Sequence, residues 1–475
     1  MSAPVVVPSE ASPPPASTRL HPAIVVVLLG SFMASLDTTM FGLALPQIGR
    51  SFGVTDGVAW LVTAKLLAVG AVLPMSGWLA DRFGRKRTYS SALWCFAIAA
   101  GCAAIAPTFQ LLLVCRVFQG FSTGVMMPVG MAMLMELTVR ERQGRVLALW
   151  AVSNQLAPAF GPPVGGLVTQ IDWRWVFVLS ALVALVCSLI GARILPNVGY
   201  HDPTYRLDVA GVVLSTLGLL LLVFGLNESR RWGLLAPETV ACVGIGFTVL
   251  AVFVVHELRA RDPILEVRLF RHAAFAISIV ILAIINGVQF SRLIFVPLNL
   301  QEVRGMRPSE VGILFLVPAL LAIVATTFAG RVTDRSGPRR PIILGTALMT
   351  TALLGFGNLG LDWPVVAVLL LLCVQSVGFG IASPPVVVSG MSELEPAQLA
   401  QGAAIRAVVG QVGSVVTVSV MSAVVAAGST ATDDRAQAAY NRAFFAAALL
   451  AAGALALAIR LPRRSAPSVA PAPMA

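Results

Sequence analysis

Charged residues are scarce in this sequence. Only 12% of the 475 residues are Asp, Glu, Lys or Arg, whereas 57% are hydrophobic. A typical soluble domain has about 25% charged and roughly 45–50% apolar residues. A larger core does not explain the difference, because a single soluble core stops growing at roughly 250–300 residues. The composition excludes a soluble enzyme, a disordered protein and a secreted disulfide scaffold, and it indicates an integral membrane protein.

Metal, disulfide and nucleotide motifs are also missing. The six cysteines lie inside apolar stretches without a CxxC pair, and the chain has only four histidines. We therefore expect no metal site and no cofactor. No GxxxxGK[ST] loop occurs, so the sequence does not support direct use of ATP. The net charge of +11 is attributed to cytoplasmic loops, which concentrate Lys and Arg, and we expect no nucleic-acid partner.

Fourteen windows are long and apolar enough to cross a bilayer, which takes about 20 residues in a helix. They are 22–46, 58–79, 88–106, 109–131, 145–169, 174–194, 208–226, 237–256, 273–299, 309–329, 340–359, 364–389, 402–427 and 440–461. The sequence therefore predicts an all-α polytopic membrane protein with 14 transmembrane helices.

The basic residues predict the orientation of these helices. Twenty-one lie at or beyond helix ends on one side of the predicted bundle, and eight lie on the other side. Because cytoplasmic loops carry the excess of Lys and Arg, both termini are predicted to be cytoplasmic. Residues 1–21 are rich in Pro and Ser, which is typical of a disordered tail and not of a signal peptide.

One loop pattern, G-x-x-x-D-R-x-G-x-[KR]-[KR], occurs twice in the chain. The copies begin at Gly77 and Gly330, 253 residues apart. Eight windows separate the matching loops where two six-helix halves would give six, so 208–226 and 237–256 are interpreted as an insertion. The predicted organisation is a tail 1–21, an N-terminal bundle 22–195, a linker with two extra helices 196–257, a C-terminal bundle with its preceding linker 258–462, and a tail 463–475.

The two copies are interpreted as gating loops. Glycines let two helix ends approach and turn sharply, while the Asp can form an ion pair that breaks when the halves move. The alternative is that the basic residues only anchor the chain on the cytoplasmic side. Two copies at matching positions favour the gate. Its residues are Gly77, Asp81, Arg82, Gly84 and Arg85 in the first copy, and Gly330, Asp334, Arg335 and Gly337 in the second.

This repeated loop resembles the signature loop of the major facilitator superfamily. Residues 36–46 are similar to the LDxTxxNxALP pattern of its drug:proton antiporter branch, 116–124 to RxxQGxG, and 157–166 to the antiporter GxxxGPxxGG motif. The last motif supplies Gly161, Pro162, Gly165 and Gly166. The resemblance implies two six-helix bundles plus two additional helices, and proton-coupled transport.

The chain departs from the family patterns at three positions. Gly42 replaces the usual Asn of the first pattern, Ala157 replaces the first Gly of the antiporter motif, and Lys65 stands where the family usually has Tyr. These departures leave the substrate class open.

Four ionisable residues lie deep inside predicted spans: Asp37, Lys65, Arg116 and Arg292. At 1.5 Å per helical residue, each lies roughly 10–14 Å below the predicted outer surface. Charges at this depth are costly and normally face a cavity or a partner. We therefore expect these four side chains to share one layer.

Asp37 is the predicted proton-coupling residue, with Arg116 as its partner by resemblance to the family motif. Burial disfavours the charged carboxylate and a nearby cation favours it. A site that opens alternately to two compartments can therefore bind and release a proton. The alternative is a permanent structural ion pair with Lys65 or Arg116.

Three cations and one carboxylate in this layer leave a surplus positive charge. Such a cavity disfavours a lipophilic cation and suits an anionic or zwitterionic amphiphile. The alternative for Lys65 is that its long side chain reaches the outer interface. The predicted cavity residues are Lys65, Asn154, Gln155, Asn286, Gln289 and Arg292, although each polar residue could instead join two helices.

The sequence thus predicts a proton-coupled multidrug-type exporter that works by alternating access in the bacterial inner membrane. Its expected partners are a small amphipathic substrate, protons and the lipid bilayer, and it is expected to be a monomer and not an enzyme. Two alternatives stay open: an exporter or flippase of a lipid or endogenous metabolite, and a non-transporting receptor or scaffold.

Overall fold

A computed structural model describes residues 22–54, 57–73, 75–138, 140–196, 208–233, 236–260, 265–395, 398–428 and 433–461. Every regular element in these ranges is helical. The first helices are α1 (Pro22–Met40), η1 (Phe41–Leu43), α2 (Leu45–Phe52), α3 (Trp60–Val72), α4 (Met75–Phe83), α5 (Arg85–Ala104), α6 (Phe109–Glu136), α7 (Arg140–Ile171) and α8 (Arg174–Ile194).

The remaining helices follow in chain order. They are α9 (Val209–Trp232), α10 (Pro237–Arg259), η2 (Val267–Arg271), α11 (Ala273–Glu302), α12 (Pro308–Leu314), α13 (Leu316–Ser336), α14 (Arg339–Gly357), α15 (Val365–Met391), α16 (Leu399–Gly428) and α17 (Asp433–Arg460). The predicted tails 1–21 and 463–475 lie outside the described residues.

Eleven helices in the described ranges are long and apolar enough to cross a membrane, or twelve if α3 and α4, bent by 57°, form one span. The predicted windows 88–106 and 145–169 correspond to α5 and α7, which are not among those eleven. The all-α polytopic fold is therefore confirmed, and the count of 14 stays a prediction.

Prolines inside the spans do not end the helices. Pro128 lies within α6, and Pro158, Pro162 and Pro163 lie within α7. Inside a bilayer a broken helix would expose backbone groups to lipid, and neighbouring helices can satisfy the few groups that proline frees. The windows 109–131 and 145–169 therefore each lie in a continuous helix, α6 and α7.

Two groups of helices pack mainly among themselves. In the first, α1 contacts α6, α7 and α8, α5 contacts α6 and α8, and α3 contacts α6. In the second, α11 contacts α15, α16 and α17, while α14 contacts α15 and α17. The pair α9 and α10 pack on each other, and α9 also contacts α3 and α16. The predicted domains 22–195, 196–257 and 258–462 would pack in this way. Their boundaries stay predictions.

The two groups meet near the ends that the sequence predicts to be extracellular. The end of α7 lies against α12 and α13, η1 and α2 contact α11, and α3 contacts α16. A hydrogen bond also crosses between the groups, because Gln411 Nε2 donates to the carbonyl oxygen of Leu66 at 3.1 Å. The contacts of α7, η1 and α2 bring the two groups together at the predicted outer side, whereas the bond from Gln411 to Leu66 lies nearer the middle of the two helices.

Candidate functional site

A buried ion cluster lies at the centre of the first helix group. Lys65 Nζ donates to Asp37 Oδ2 at 2.5 Å, and Arg116 Nη1 donates to the same oxygen at 3.1 Å. Ser180 Oγ donates to Asp37 Oδ1 at 3.0 Å. All four side chains are buried. Both carboxylate oxygens of Asp37 are therefore occupied by donors from α3, α6 and α8.

The two cations are held by further contacts. Lys65 Nζ also donates to Thr38 Oγ1 at 2.8 Å. Arg116 Nε donates to the carbonyl oxygen of Leu61 at 3.2 Å, and its Nη1 donates to Gln119 Oε1 at 3.0 Å. The guanidinium carbon stands 3.8 Å from the centroid of the Phe41 ring, close enough for a cation–π interaction. Arg116 is therefore fixed by several contacts, whereas Lys65 Nζ has two oxygen partners in the described part of the chain.

Close helix packing brings the cluster together. A Cβ on Gly120 would lie 2.4 Å from the carbonyl oxygen of Lys65, far inside van der Waals contact. Only glycine lets α6 approach α3 this closely. Gly120 follows Arg116 by one helical turn, so the close approach places the guanidinium beside Asp37. This close packing explains why the RxxQGxG pattern has a glycine at this position.

Lys65 does not reach the predicted outer interface. Its side chain is 2% exposed and its ammonium group is paired with Asp37. The side chain therefore does not extend towards water in this structure. Two of the three cations in the predicted layer therefore belong to one cluster with the carboxylate.

Arg292 is the third cation of that layer and lies in the second helix group. It is 4% exposed, and its guanidinium carbon is 5.3 Å from the centroid of the Phe315 ring. Among the described residues, no hydrogen-bond partner is found for its Nε and Nη1 atoms. One part of the surplus positive charge predicted from the sequence therefore lies at Arg292, and the other lies in the cluster of Asp37, Lys65 and Arg116.

The other predicted cavity residues differ in their contacts. Asn154 is occupied, because its Oδ1 accepts from Ser35 Oγ and its Nδ2 donates to the carbonyl oxygen of Trp150, both at 2.9 Å. It joins α7 to α1. The Nδ2 atom of Asn286 lies beside Gly410 of α16. The Oε1 atom of Gln289 is buried without a partner in the described part of the chain, and the side chain of Gln155 lies outside that part.

The two predicted gating loops share one backbone feature. Gly84 and Gly337 hold the same place in the motif, and their φ angles are +85° and +75°. Each lies between two helices, α4 and α5 or α13 and α14, so it makes the sharp turn that the motif predicts. In contrast, a Cβ on Gly77 or Gly330 would meet no atom within 4 Å.

The charged residues of these loops are distributed unevenly. Arg85 forms an ion pair with Glu136 at the end of α6, which ties the first loop to its own helix group. Arg82 is half-buried, Arg335 is exposed, and the side chain of Asp334 lies outside the described part. Their role in gating stays a prediction.

The glycines of the antiporter-type motif on α7 face two neighbours. Gly161 lies against Thr39 and Gly165 against Met40, so α7 packs tightly on α1 just after Asp37. Gly166 faces the second helix group, and its Cβ would lie 2.3 Å from the carbonyl oxygen of Pro308. The glycines of this motif therefore pack α7 against α1 on one side and against α12 of the second helix group on the other.

The contact between α7 and α12 is reciprocal. A Cβ on Gly312 of α12 would lie 2.4 Å from the carbonyl oxygen of Pro162. A similar contact occurs at Gly42, whose Cβ would lie 2.7 Å from the carbonyl oxygen of Leu293. An Asn at position 42, as in the family pattern, would require a wider separation there. Gly42, which departs from the pattern, thus permits close contact between η1 and α11.

Sequence reasoning missed three residues of the ion cluster. Ser180, Gln119 and Phe41 all contact Asp37 or Arg116. Gln119 and Phe41 lie inside the quoted motifs but were not selected. Ser180 is a small polar residue in an apolar span, and such residues more often join helices than form sites.

Buried charges within an all-helical bundle are typical of a membrane transporter. A family model described as the Major Facilitator Superfamily matches residues 27–418 and, in a second alignment, 275–474. The chain belongs to this superfamily, whose members are transporters and not enzymes.

Relatives and solved structures agree with this assignment. The multidrug resistance protein B homolog of Mycobacterium tuberculosis is 30% identical over 405 residues, which cover 84% of this chain and 74% of that protein. The lincomycin resistance protein LmrB of Listeria monocytogenes is 26% identical over 412 residues, covering 85% and 87%. The crystal structure of a D-xylose–proton symporter has a TM-score of 0.68 at 14% identity, covering 93% and 97%, and this likeness concerns the fold alone.

Proposed function

We propose that this transporter is a proton-coupled antiporter that exports amphipathic small molecules across the bacterial inner membrane by alternating access. The proposal includes 14 spans in two six-helix bundles plus two helices, cytoplasmic termini and a monomeric state. The names of relatives that confer multidrug or lincomycin resistance support export as the direction of transport.

The observation that carries the proposal is the burial of Asp37 between two cations. With Asp37 ionised, the cluster of Asp37, Lys65 and Arg116 has one net positive charge. Protonation of the carboxylate would leave two buried cations without an anion. Breaking a buried pair in this way costs roughly 3–5 kcal/mol. A proton can therefore bind stably only if Lys65 or Arg116 moves or becomes hydrated, which links protonation to a change of conformation.

Helix packing offers a route for that linkage. Thr39 and Met40, which follow Asp37 on α1, lie against Gly161 and Gly165 of α7. The next glycine of α7, Gly166, contacts α12 in the other helix group. Separation of α7 from α12 would therefore act on α1 beside the carboxylate. This is the coupling between proton site and access that an antiporter requires.

Transport by the purified protein in proteoliposomes tests the proposal. The lumen is buffered at a lower pH than the outside, and uptake is measured for three amphiphiles, one cationic, one neutral and one with a carboxylate. We expect uptake of at least one compound that stops when a protonophore collapses the gradient. Uptake that continues unchanged after the protonophore is added, or no uptake of any compound, would contradict the proposal.

A second candidate, a lipid exporter or flippase, is favoured by one observation. A cavity of about 220 Å³ lies where α3, α9, α10 and α16 meet, and its lining includes Gly70, Leu219, Leu250, Phe253 and Val408. Nearly all of its lining atoms are apolar, which would suit an acyl chain. Reconstitution with a fluorescent phospholipid, followed by quenching from outside, separates the two functions. Only a flippase accelerates lipid exchange between the leaflets.

A further inference from the structure

The sequence places no Asp or Glu at the depth of Arg292 within its own helix group. From residue 273 to residue 461, every Asp and Glu lies in a connector or within a few residues of a helix end. Arg292 lies in the outer half of α11 but nearly three turns before its end at Glu302, and is 4% exposed. A buried cation without an anion is strongly unfavourable. The anion that completes this site must therefore come from outside the second helix group.

Asp37 does not fill that role in this structure. Its Oδ2 atom accepts from both Lys65 and Arg116, and its Oδ1 atom accepts from Ser180. The cations of the first group are likewise engaged by the carboxylate. Arg292 is a buried cation with unpartnered donors, since its Nε and Nη1 atoms have no partner among the described residues.

Unpartnered amides accompany the guanidinium. Gln289 lies one helical turn before Arg292 on α11, and its Oε1 atom is buried without a partner in the described part of the chain. Gln375 on α15 is fully buried, and neither its Oε1 nor its Nε2 atom has a partner there. A buried amide that makes no hydrogen bond loses about 1–3 kcal/mol, so these groups are placed for something other than packing.

Helix register puts Gln375 at the depth of Arg292. Gly390 of α15 lies against Ser278 of α11, with 3.2 Å from its Cβ position to the serine Cβ. The two helices are predicted to cross the membrane in opposite directions. Gln375 lies as many residues before Gly390 on α15 as Leu293 lies after Ser278 on α11. Gln375 is therefore level with Leu293, the neighbour of Arg292. The guanidinium and the amide therefore lie at one level between packed helices.

We propose that Arg292, with Gln375 and Gln289, binds the carboxylate of an acid-bearing amphiphilic substrate. Guanidinium donors form a planar fork that matches a carboxylate with two parallel hydrogen bonds, and the amide Nε2 of Gln375 can donate a further bond. The Phe315 ring, 5.3 Å from the guanidinium carbon, offers an apolar surface for the rest of the molecule. This inference rests on the proposed transport of amphipathic compounds and adds that the transported compounds are anionic.

Binding of three probes with one skeleton tests the proposal. The full-length protein in lipid nanodiscs is titrated calorimetrically with 1-naphthylacetate, its neutral amide 1-naphthylacetamide, and the cation 1-naphthylethylammonium. We expect the acid to bind most tightly. In Arg292→Gln the affinity for the acid should fall by roughly tenfold to a hundredfold, as for loss of a charge-assisted hydrogen bond. The affinity for the amide should stay unchanged, which also shows that the variant is folded.

Two further variants identify the site. Arg442→Gln removes an exposed cation from the same helix group and should leave the preference for the acid intact. Arg292→Lys keeps the charge and should retain part of the preference. The proposal is overturned if the acid binds no tighter than the amide, if none of the probes binds, or if Lys65→Met abolishes the preference while Arg292→Gln does not.

The outcome is independent of proton coupling, because the titration uses no pH gradient. A preference for the acid together with gradient-insensitive transport would refute the proposed antiport and leave this site standing. Gradient-driven transport without any preference for the acid would do the reverse.

Discussion

Adding one methyl group to Gly312 should open the contact between α7 and α12. The new Cβ would lie 2.4 Å from the carbonyl oxygen of Pro162, about 1 Å closer than ordinary van der Waals contact. The obstacle is backbone, so the helices themselves must separate. Overpacking of this kind costs about 1–3 kcal/mol, which corresponds to a population shift of roughly fivefold to 150-fold. The ratio of the state with α7 and α12 in contact to the state with them apart should fall by that factor.

The change in occupancy can be measured as a distance between spin labels. Labels at the exposed residues Ile171, at the end of α7, and Asp362, in the connector before α15, report on the predicted outer ends of the two groups. The six native cysteines must first be replaced. We expect Gly312→Ala to shift the distance distribution towards the longer population and to slow transport.

Gly101→Ala is the matched control. Gly101 is also a helical glycine, but a Cβ there would meet no atom within 4 Å, so its distance distribution should equal that of the unmodified protein. If Gly312→Ala also leaves the distribution and the transport rate unchanged, then α7 and α12 do not form the outer contact that we describe.

Two further predictions concern stability. Ser180→Ala removes a hydrogen bond to the buried carboxylate and should lower the free energy of unfolding by about 1.5–3 kcal/mol. Ser188→Ala loses only a bond within its own helix and should have a smaller effect. Thermal unfolding compares the two variants, and equal shifts would argue against an ionised carboxylate at Asp37. Gly84→Ala and Gly337→Ala place a side chain at positive φ and should each cost about 1–2 kcal/mol. Gly77→Ala, in open space, should not, and a matching loss in that control would contradict the turn geometry.

The depth of the charged residues could be predicted from the sequence. A helix rises 1.5 Å per residue, so position within an apolar window gives a level in the membrane. Asp37, Lys65 and Arg116 were predicted in one layer and do meet. Their pairing was one of the two stated possibilities for Asp37.

The lateral arrangement could not be predicted. Which side of a helix faces which neighbour depends on the packing of all the others, and no periodic pattern marks it in a uniformly apolar span. For this reason the contribution of Ser180 was missed, and the separation of Arg292 from the cluster was not foreseen. The role of Gly42 likewise became clear only when Leu293 was found against it.

The gating loops show the same limit. Their glycine spacing predicted a sharp turn, and Gly84 and Gly337 have the required positive φ. Close approach at Gly77 and Gly330 was also expected, but a Cβ at either position would meet only open space. A turn is determined by local backbone geometry, whereas an approach depends on where the neighbouring helix lies.

Neutralising Asp37 tests the central claim most directly. Asp37→Asn and the exposed control Asp362→Asn are reconstituted, and each is assayed for transport driven by a pH gradient and for exchange of labelled against unlabelled substrate without a gradient. If Asp37 carries the proton, Asp37→Asn loses gradient-driven transport but retains exchange, while Asp362→Asn retains both. Full gradient-driven transport by Asp37→Asn would show that its ion pairs with Lys65 and Arg116 are only structural.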